Sequence, residues 1–316
     1  MKIKNSLFED VLLKEQAEKT EAQTSSMGMG ARQLLRAQRT LKKGFSLSGI
    51  SLFLGEIVSI KALPAPPGSG IRFRRVDLPG KPIIPATLSN AQTPFRFTLL
   101  KNKEASVSTV EHILSAFSAA AIDNVLIEID GPEVPISDGS SRAFVEAIAL
   151  AGVESQDSEV EIYQVTKPLH VSLGDTQLVA LPCDEFKISC LIHYPHCPQI
   201  GSQFYIYNGD FDLYSREIAP CRTYSQYEEV FPLIERGLIR GGALETALVF
   251  KNGQIMNEGG ARFPDEMVRH KVLDLIGDLS LVGMPFKAHI IAIRSGHSAN
   301  VLLAKEIYKH LEAKSE

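Results

Sequence analysis

From Gln38 onward, no apolar stretch runs far before a Gly or Pro cluster breaks it. The segment FSLSGISLFLGEIVSIKALPAPPGSGIRFRRVDLPG, residues 45–80, reads as several short strands separated by turns. A helical pattern follows in STVEHILSAFSAAAI (108–122), then a strand in NVLIEID (124–130) and a second helix in RAFVEAIALAGV (142–153). The second half repeats the rhythm. Strands are expected through LHVSL, TQLVAL, FKISCLIHYP and QFYIYN, then helices, a strand AHIIAIRS (288–295) and a last helix from about Ser298 to Glu312. Strands followed by helices, twice over, predict an α+β fold in which each domain packs helices on one face of a mainly antiparallel sheet. The polar run ESQDSEVEI (154–162) marks the expected boundary, giving domains over 36–157 and 158–316.

The totals narrow the class of partner. The chain has 316 residues, 44% of them hydrophobic and 22% charged, as in a globular protein. Lys and Arg number 33 against 37 Asp and Glu, and a net charge of −4 speaks against nucleic acid as a partner. The four cysteines, Cys183, Cys190, Cys197 and Cys221, form no C-x-x-C pair and no disulfide framework, which fits a reducing compartment. The N-terminus lacks the apolar core of roughly 7–15 residues that a signal peptide needs. No apolar run is long enough for a transmembrane segment, so a cytoplasmic location is expected. Residues 1–35 are charged, end in SSMGMG before the first strand pattern, and read as a flexible N-terminal extension.

The segment DEMVRHKVLDLIGDLSLVG (265–283) carries the first sign of chemistry. On a helix at about 100° per residue, Val268, Val272, Leu275, Ile276 and Leu279 form one apolar stripe. His270 and Asp274 fall almost opposite Val272, with Asp278 one turn further. Side chains at i and i+4 stack, so His270 and Asp274 are placed to hold one ion together. The bland alternative is a solvated polar face shared with Arg269 and Lys271, and the spacing alone does not decide between them.

A catalytic zinc takes three protein ligands and keeps a position open, so a third donor is needed. His112 stands out because it follows Glu111 at the start of a helix whose core stripe is Val110, Ile113, Leu114, Phe117 and Ala121. A carboxylate beside a metal ligand suits a general base. Ser108-Thr109-Val110-Glu111 is also a capping box, in which Glu merely closes the helix; both roles stay open. His297 sits in RSGHS, where a strand ends and a helix begins. His289 and His310 read as structural, and His170 has no assignment.

Assembled, STVEHILSAF, IDNVLIEIDGPEVPISDGSS, CRTY, RGLIRGG, DEMVRHKVLDLIGDLSLVG and RSGHS resemble the zinc-dependent UDP-3-O-acyl-N-acetylglucosamine deacetylase family of Gram-negative lipid A biosynthesis. The resemblance covers about residue 38 to the C-terminus, and STVEH with RHKVLDxIGD and SGH is a specific combination. It implies that His112, His270 and Asp274 are metal ligands, for one catalytic zinc or, as the alternative, iron. Glu111 is then the general base and His297 the general acid. Asp278 is the carboxylate that orients His297, and Thr223 steadies a tetrahedral oxyanion. Lys271 and Tyr224 contact substrate, Tyr194 lies near the uridine and Arg294 near the diphosphate. The implied substrate is an acylated UDP-sugar, whose 2-acetamido group is hydrolysed to acetate and a free amine in the committed step of that pathway. The fold implied is two domains of like topology, each with a small insert, near 80–100 and near 224–246, the second bordering an apolar passage for the acyl chain. A monomer is expected.

Some positions depart from the family pattern. Phe53 stands where the family's early G-x-G-x-H stretch has a histidine, Tyr224 and Gln226 stand where phenylalanines are common, and PFRFT (94–98) varies the first insert. Two readings compete with this one: a binding protein with a closed structural zinc, and a zinc amidase acting on another amide. A chelating hydroxamate competes only at an open site, and acetate release from the acylated UDP-sugar excludes the other amidase.

Overall fold

The computed structural model describes residues 34–313. Of the extension expected over 1–35, only Leu34 and Leu35 are described, and they open a strand; the rest lies outside the described residues. The first half runs β1 (Leu34–Leu41), β2 (Phe45–Ile50), β3 (Ile57–Pro64), β4 (Ile71–Arg75), β5 (Ile83–Pro85), β6 (Ala91–Gln92), β7 (Leu99–Lys101), β8 (Ser106–Ser108), α1 (Glu111–Ala119), β9 (Val125–Ile129) and α2 (Arg142–Ala151). The second runs β10 (Val153–Gln164), β11 (Leu169–Leu173), β12 (Thr176–Leu181), β13 (Phe186–Tyr194), β14 (Gly201–Tyr207), β15 (Tyr224–Gln226), α3 (Tyr227–Glu235), β16 (Leu248–Lys251), β17 (Gln254–Ile255), α4 (Glu266–Leu279), β18 (Phe286–Ile293) and α5 (His297–Glu312).

The architecture is α+β with mainly antiparallel sheets. A five-stranded sheet has the order β2-β3-β9-β4-β5, with β4 and β9 its parallel pair. A seven-stranded sheet has the path β1-β10-β18-β12-β11, with β13 and β14 joined through β18. Two small three-stranded sheets, β6-β7-β8 and β15-β16-β17, stand apart from these. The polar run 154–162 belongs to strand β10, which pairs β1 on one side and β18 on the other. Its alternating exposure explains the polarity: one face of the strand looks outward.

Helices join the sheets through one continuous apolar interior. α2 lies on β2, α4 on β13 and β14, and α5 on β11 and β12, while α1 packs along α4. Helix α2 ends at Gly152, whose φ of 75° and ψ of 158° suit glycine alone and turn the chain into β10. The apolar stripe Val268, Val272, Leu275, Ile276 and Leu279 is buried as expected. The polar side of α4 is not solvated, however: His270, Asp274 and Asp278 are 2%, 2% and 0% exposed. His270 and Asp274 face His112 of α1, and Asp278 is enclosed by Thr98, His297 and Asn300.

That contact requires a glycine. A Cβ at Gly277 would meet the carbonyl oxygen of Glu111 at 2.1 Å, far inside van der Waals contact. Gly277 therefore lets α1 settle on α4 and brings Glu111 and His112 against the polar residues of the facing helix. Gly277→Ala is expected to destabilise the protein by at least the ~1–3 kcal/mol typical of overpacking. Thermal unfolding of the variant checks this; an unchanged midpoint would show that the two helices have room to spare.

Candidate metal-ligating active site

Helix α1 starts two residues later than the capping box requires. Val110 occupies the N-cap and makes no side-chain cap. Thr109 has φ 57°, an uncommon conformation for a β-branched residue, and its hydroxyl donates to Glu133 Oε1 at 3.2 Å. Ser108 Oγ donates to the Pro132 carbonyl instead. Glu111 is thereby released from capping. Its Oε2 accepts the backbone N–H of Thr98 at 3.1 Å, and its Oε1 lies 3.9 Å from His297 Nε2.

His112, His270 and Asp274 converge, with donor atoms all within 4.8 Å of one another. His270 Nδ1 lies 3.0 Å from the carbonyl of Cys221. A carbonyl only accepts, so Nδ1 carries a proton, and Nε2 is turned toward Asp274 Oδ1 at 3.3 Å. His112 Nε2 is 3.7 Å from the same oxygen. Burial, reinforced by His270, holds the His112 imidazole down at about 3, so it is neutral at physiological pH. Burial opposes the charge of Asp274, but His270 and Lys271 outweigh it and keep the carboxyl well below the usual range. Lys271 Nζ donates to Asp274 Oδ2 at 2.7 Å, whereas Oδ1, buried and facing both histidines, has no hydrogen-bond partner among the described residues. A buried carboxylate oxygen without a donor is costly, and this one faces a ring nitrogen from each of two histidines. A divalent cation fits that donor set.

On one flank of these donors, burial pushes the Glu111 carboxyl up to about 7, against the pull of His297. On the other, His297 opens α5 after Gly296, and its Nδ1 lies 2.9 Å from Asp278 Oδ2. Burial disfavours its charge; the Asp278 carboxylate outweighs burial and holds the imidazolium up to about 9. Asp278 also accepts from Thr98 Oγ1 at 2.5 Å and Asn300 Nδ2 at 2.9 Å. Spacing gives no hint of Thr98 or Asn300; they reach the site only through the tertiary fold.

The remaining expected residues are placed as follows. Thr223, Tyr194, Tyr224 and Lys271 line the same cleft as the donors, together with Phe53, Arg96, Gln226 and Glu229. Thr223 is pinned by its backbone, N–H to the Gly139 carbonyl at 2.7 Å and C=O to Leu248 N–H at 2.8 Å. The Tyr194 and Tyr224 hydroxyls are 3.0 Å apart, and the Tyr224 ring stands edge-on to His270. Arg294 is not brought to the donors. It lies in an adjoining recess with Asp175, His193 and His196, which Tyr194 shares, and pairs with Asp175 at 3.2 Å. An apolar recess opens beside the cleft, walled by Phe53, Tyr224, Tyr227, Val230, Ile234, Ile239 and Val249. Phe53 packs on Phe97 and Phe95 as a ring cluster. Gln226 is not part of that wall; it donates to Glu229.

Three convergent donors, flanked by a carboxylate and a carboxylate-paired histidine, are the constellation that a metal-dependent hydrolase needs. The chain matches the UDP-3-O-acyl N-acetylglycosamine deacetylase family over residues 38–309. It is similar to the UDP-3-O-acyl-N-acetylglucosamine deacetylases of Chlamydia abortus, at 46% identity over 279 residues, and Chlamydia pneumoniae, at 45% over 280; each alignment covers 88% of this chain and 99% of the relative. The corresponding protein of Chlamydia trachomatis serovar L2 is 42% identical over 281 residues, 89% of this chain and 98% of its own. The chain belongs to the UDP-3-O-acyl N-acetylglycosamine deacetylase family and is an enzyme, a deacetylase. No helix among the described residues is long and apolar enough to cross a membrane.

The frame of the site rests on a buried ion pair. Glu266, 0% exposed at the start of α4, accepts from the backbone N–H, Nε and Nη2 of Arg222 and from the Arg262 N–H. This ties the CRTY segment to the helix that carries His270. Glu266→Ala leaves Arg222 buried without its partner, and the expected loss is about 3–5 kcal/mol in urea unfolding. Stability equal to the parent's would show that the pair does not hold the frame.

Proposed function

We propose that the chain hydrolyses the 2-acetamido group of a UDP-3-O-acyl-N-acetylglucosamine, releasing acetate and leaving a free amine in lipid A biosynthesis. The observation that carries this reading is the meeting of His112, His270 and Asp274 beside Glu111 and His297 in one cleft. The relatives' names supply the substrate class. His112, His270 and Asp274 hold a divalent ion, zinc or iron, which when bound supplies the Lewis acidity that polarises the amide carbonyl.

The chain's own residues do the rest. Glu111 takes the proton of the attacking water, and a carboxyl poised near neutrality suits that task. The cationic His297, oriented by Asp278, stabilises developing negative charge and then protonates the amine, which is a poor leaving group without that proton. Thr223, which lines the same cleft, steadies the tetrahedral oxyanion. Lys271 contacts the substrate while its charge offsets that of Asp274. The recess walled by Phe53, Tyr224 and Val230 takes the acyl chain. Tyr194 and Arg294 face the nucleotide end from the adjoining recess.

Two variants test the assignment. His270→Ala leaves two ligands from separate helices, so metal analysis after mild chelation should fall well below one ion per chain; stoichiometric metal would remove His270 from the set. Glu111→Gln keeps an oxygen that accepts the Thr98 N–H but cannot take a proton from water. Acetate release should drop about 100- to 10,000-fold with metal content unchanged. Turnover like the parent's would mean that Glu111 is not the base.

A further inference from the structure

Thr98 has no role in the reaction as assigned above, yet it touches both proton-transfer groups. It precedes β7, which pairs with β8 so that Leu99 faces Ser108. That register returns the chain to the start of α1 and sets Thr98 beside Glu111. There it is fully buried. Its N–H donates to Glu111 Oε2 at 3.1 Å, and its carbonyl accepts from Val110 N–H at 3.5 Å. Its hydroxyl donates to Asp278 Oδ1 at 2.5 Å and lies 3.5 Å from His297 Nδ1.

We infer that Thr98 is a positioning residue that couples base to acid, fixing Glu111 through its backbone and the Asp278–His297 pair through its hydroxyl. The inference rests on the roles proposed for Glu111 and His297. Asp278 Oδ2 is shared by His297 and Asn300, while Oδ1 takes the Thr98 hydroxyl. Without that hydroxyl, Oδ1 is a buried acceptor with its donor removed. The carboxylate then gains freedom to rotate toward other donors, carrying Oδ2 out of line with His297 Nδ1. His297 Nε2, 3.9 Å from Glu111, loses its aim with it. The backbone N–H of residue 98 survives any side-chain change, so the hydroxyl can be tested alone.

The test is steady-state kinetics on the metal-loaded enzyme with the acylated UDP-sugar, comparing Thr98→Val and Thr98→Ser, each alone and combined with His297→Ala. Metal content and melting temperature are measured on every variant. Thr98→Val, nearly isosteric but without the hydroxyl, should lower kcat about 10- to 100-fold, as loss of a supporting hydrogen bond does, with KM unchanged. Thr98→Ser should restore most of kcat. In the His297→Ala background, Thr98→Val should cost little, because the pair that it aims is gone. A Thr98→Val variant with parental kcat overturns the inference, and so does an equal loss in both backgrounds, which is what general structural support would give. Should Thr98→Val not fold, Thr98→Ala carries the same comparison. A parent enzyme that binds metal yet releases no acetate refutes the proposed function and the inference with it; an active parent with an indifferent Thr98→Val refutes the inference alone.

Discussion

Helices α1 and α4 meet at Gly277, where only the missing side chain admits the Glu111 carbonyl. The rest of the site depends on that close approach. It puts His112 opposite His270 and Asp274 and leaves Glu111 facing the turn that follows. One turn further along α4, Asp278 reaches back to His297 at the start of α5. Donors from distant parts of the chain thus become one cluster because two helices touch at a single small residue. The apolar stripe of α4, pressed on β13 and β14, holds its polar side against α1.

Burying so many ionisable groups is expensive unless each is answered, and the answers differ. Asp278 receives a hydroxyl, an imidazole and an amide. Glu266 receives an arginine and two backbone N–H groups. Glu111 receives one backbone N–H, and burial raises its carboxyl toward neutrality. Asp274 has Lys271 on one oxygen and, among the described residues, no hydrogen-bond partner on the other. Among these carboxylates, Glu111 and Asp274, which the proposed reaction uses, receive fewer donors than Asp278 and Glu266, which support it. This is how a fold stores reactivity at one place and stability around it.

Much of this was legible in the sequence, for identifiable reasons. The stripe of α4 follows from helical period, and the strands between turn clusters follow from Gly and Pro. The i, i+4 pair His270 and Asp274 is visible as a pair, but period alone could not say whether it faced water or another helix. Only the α1 contact decides that, and nothing local to residues 266–283 encodes it except Gly277. The capping box at 108–111 was misleading because Thr109 is left-handed and its hydroxyl is bonded to Glu133, from the loop after β9, so the helix starts after it. The polar strand β10 reads as a boundary because its outward face carries the charges. Thr98 and Asn300 have no local signature at all, since hydrogen bonds between distant segments leave none. Arg294, aligned by resemblance with the diphosphate end, stands apart from the donors.

The central claim is that the α1–α4 contact assembles a metal centre. Anomalous diffraction at the zinc and iron edges, from crystals of the protein purified without added chelator, tests it directly. The account predicts one strong peak within bonding distance of His112, His270 and Asp274, with Glu111 adjacent but not coordinating. A peak seated instead on His193 and His196, or coordination closed by a fourth protein side chain, would contradict it.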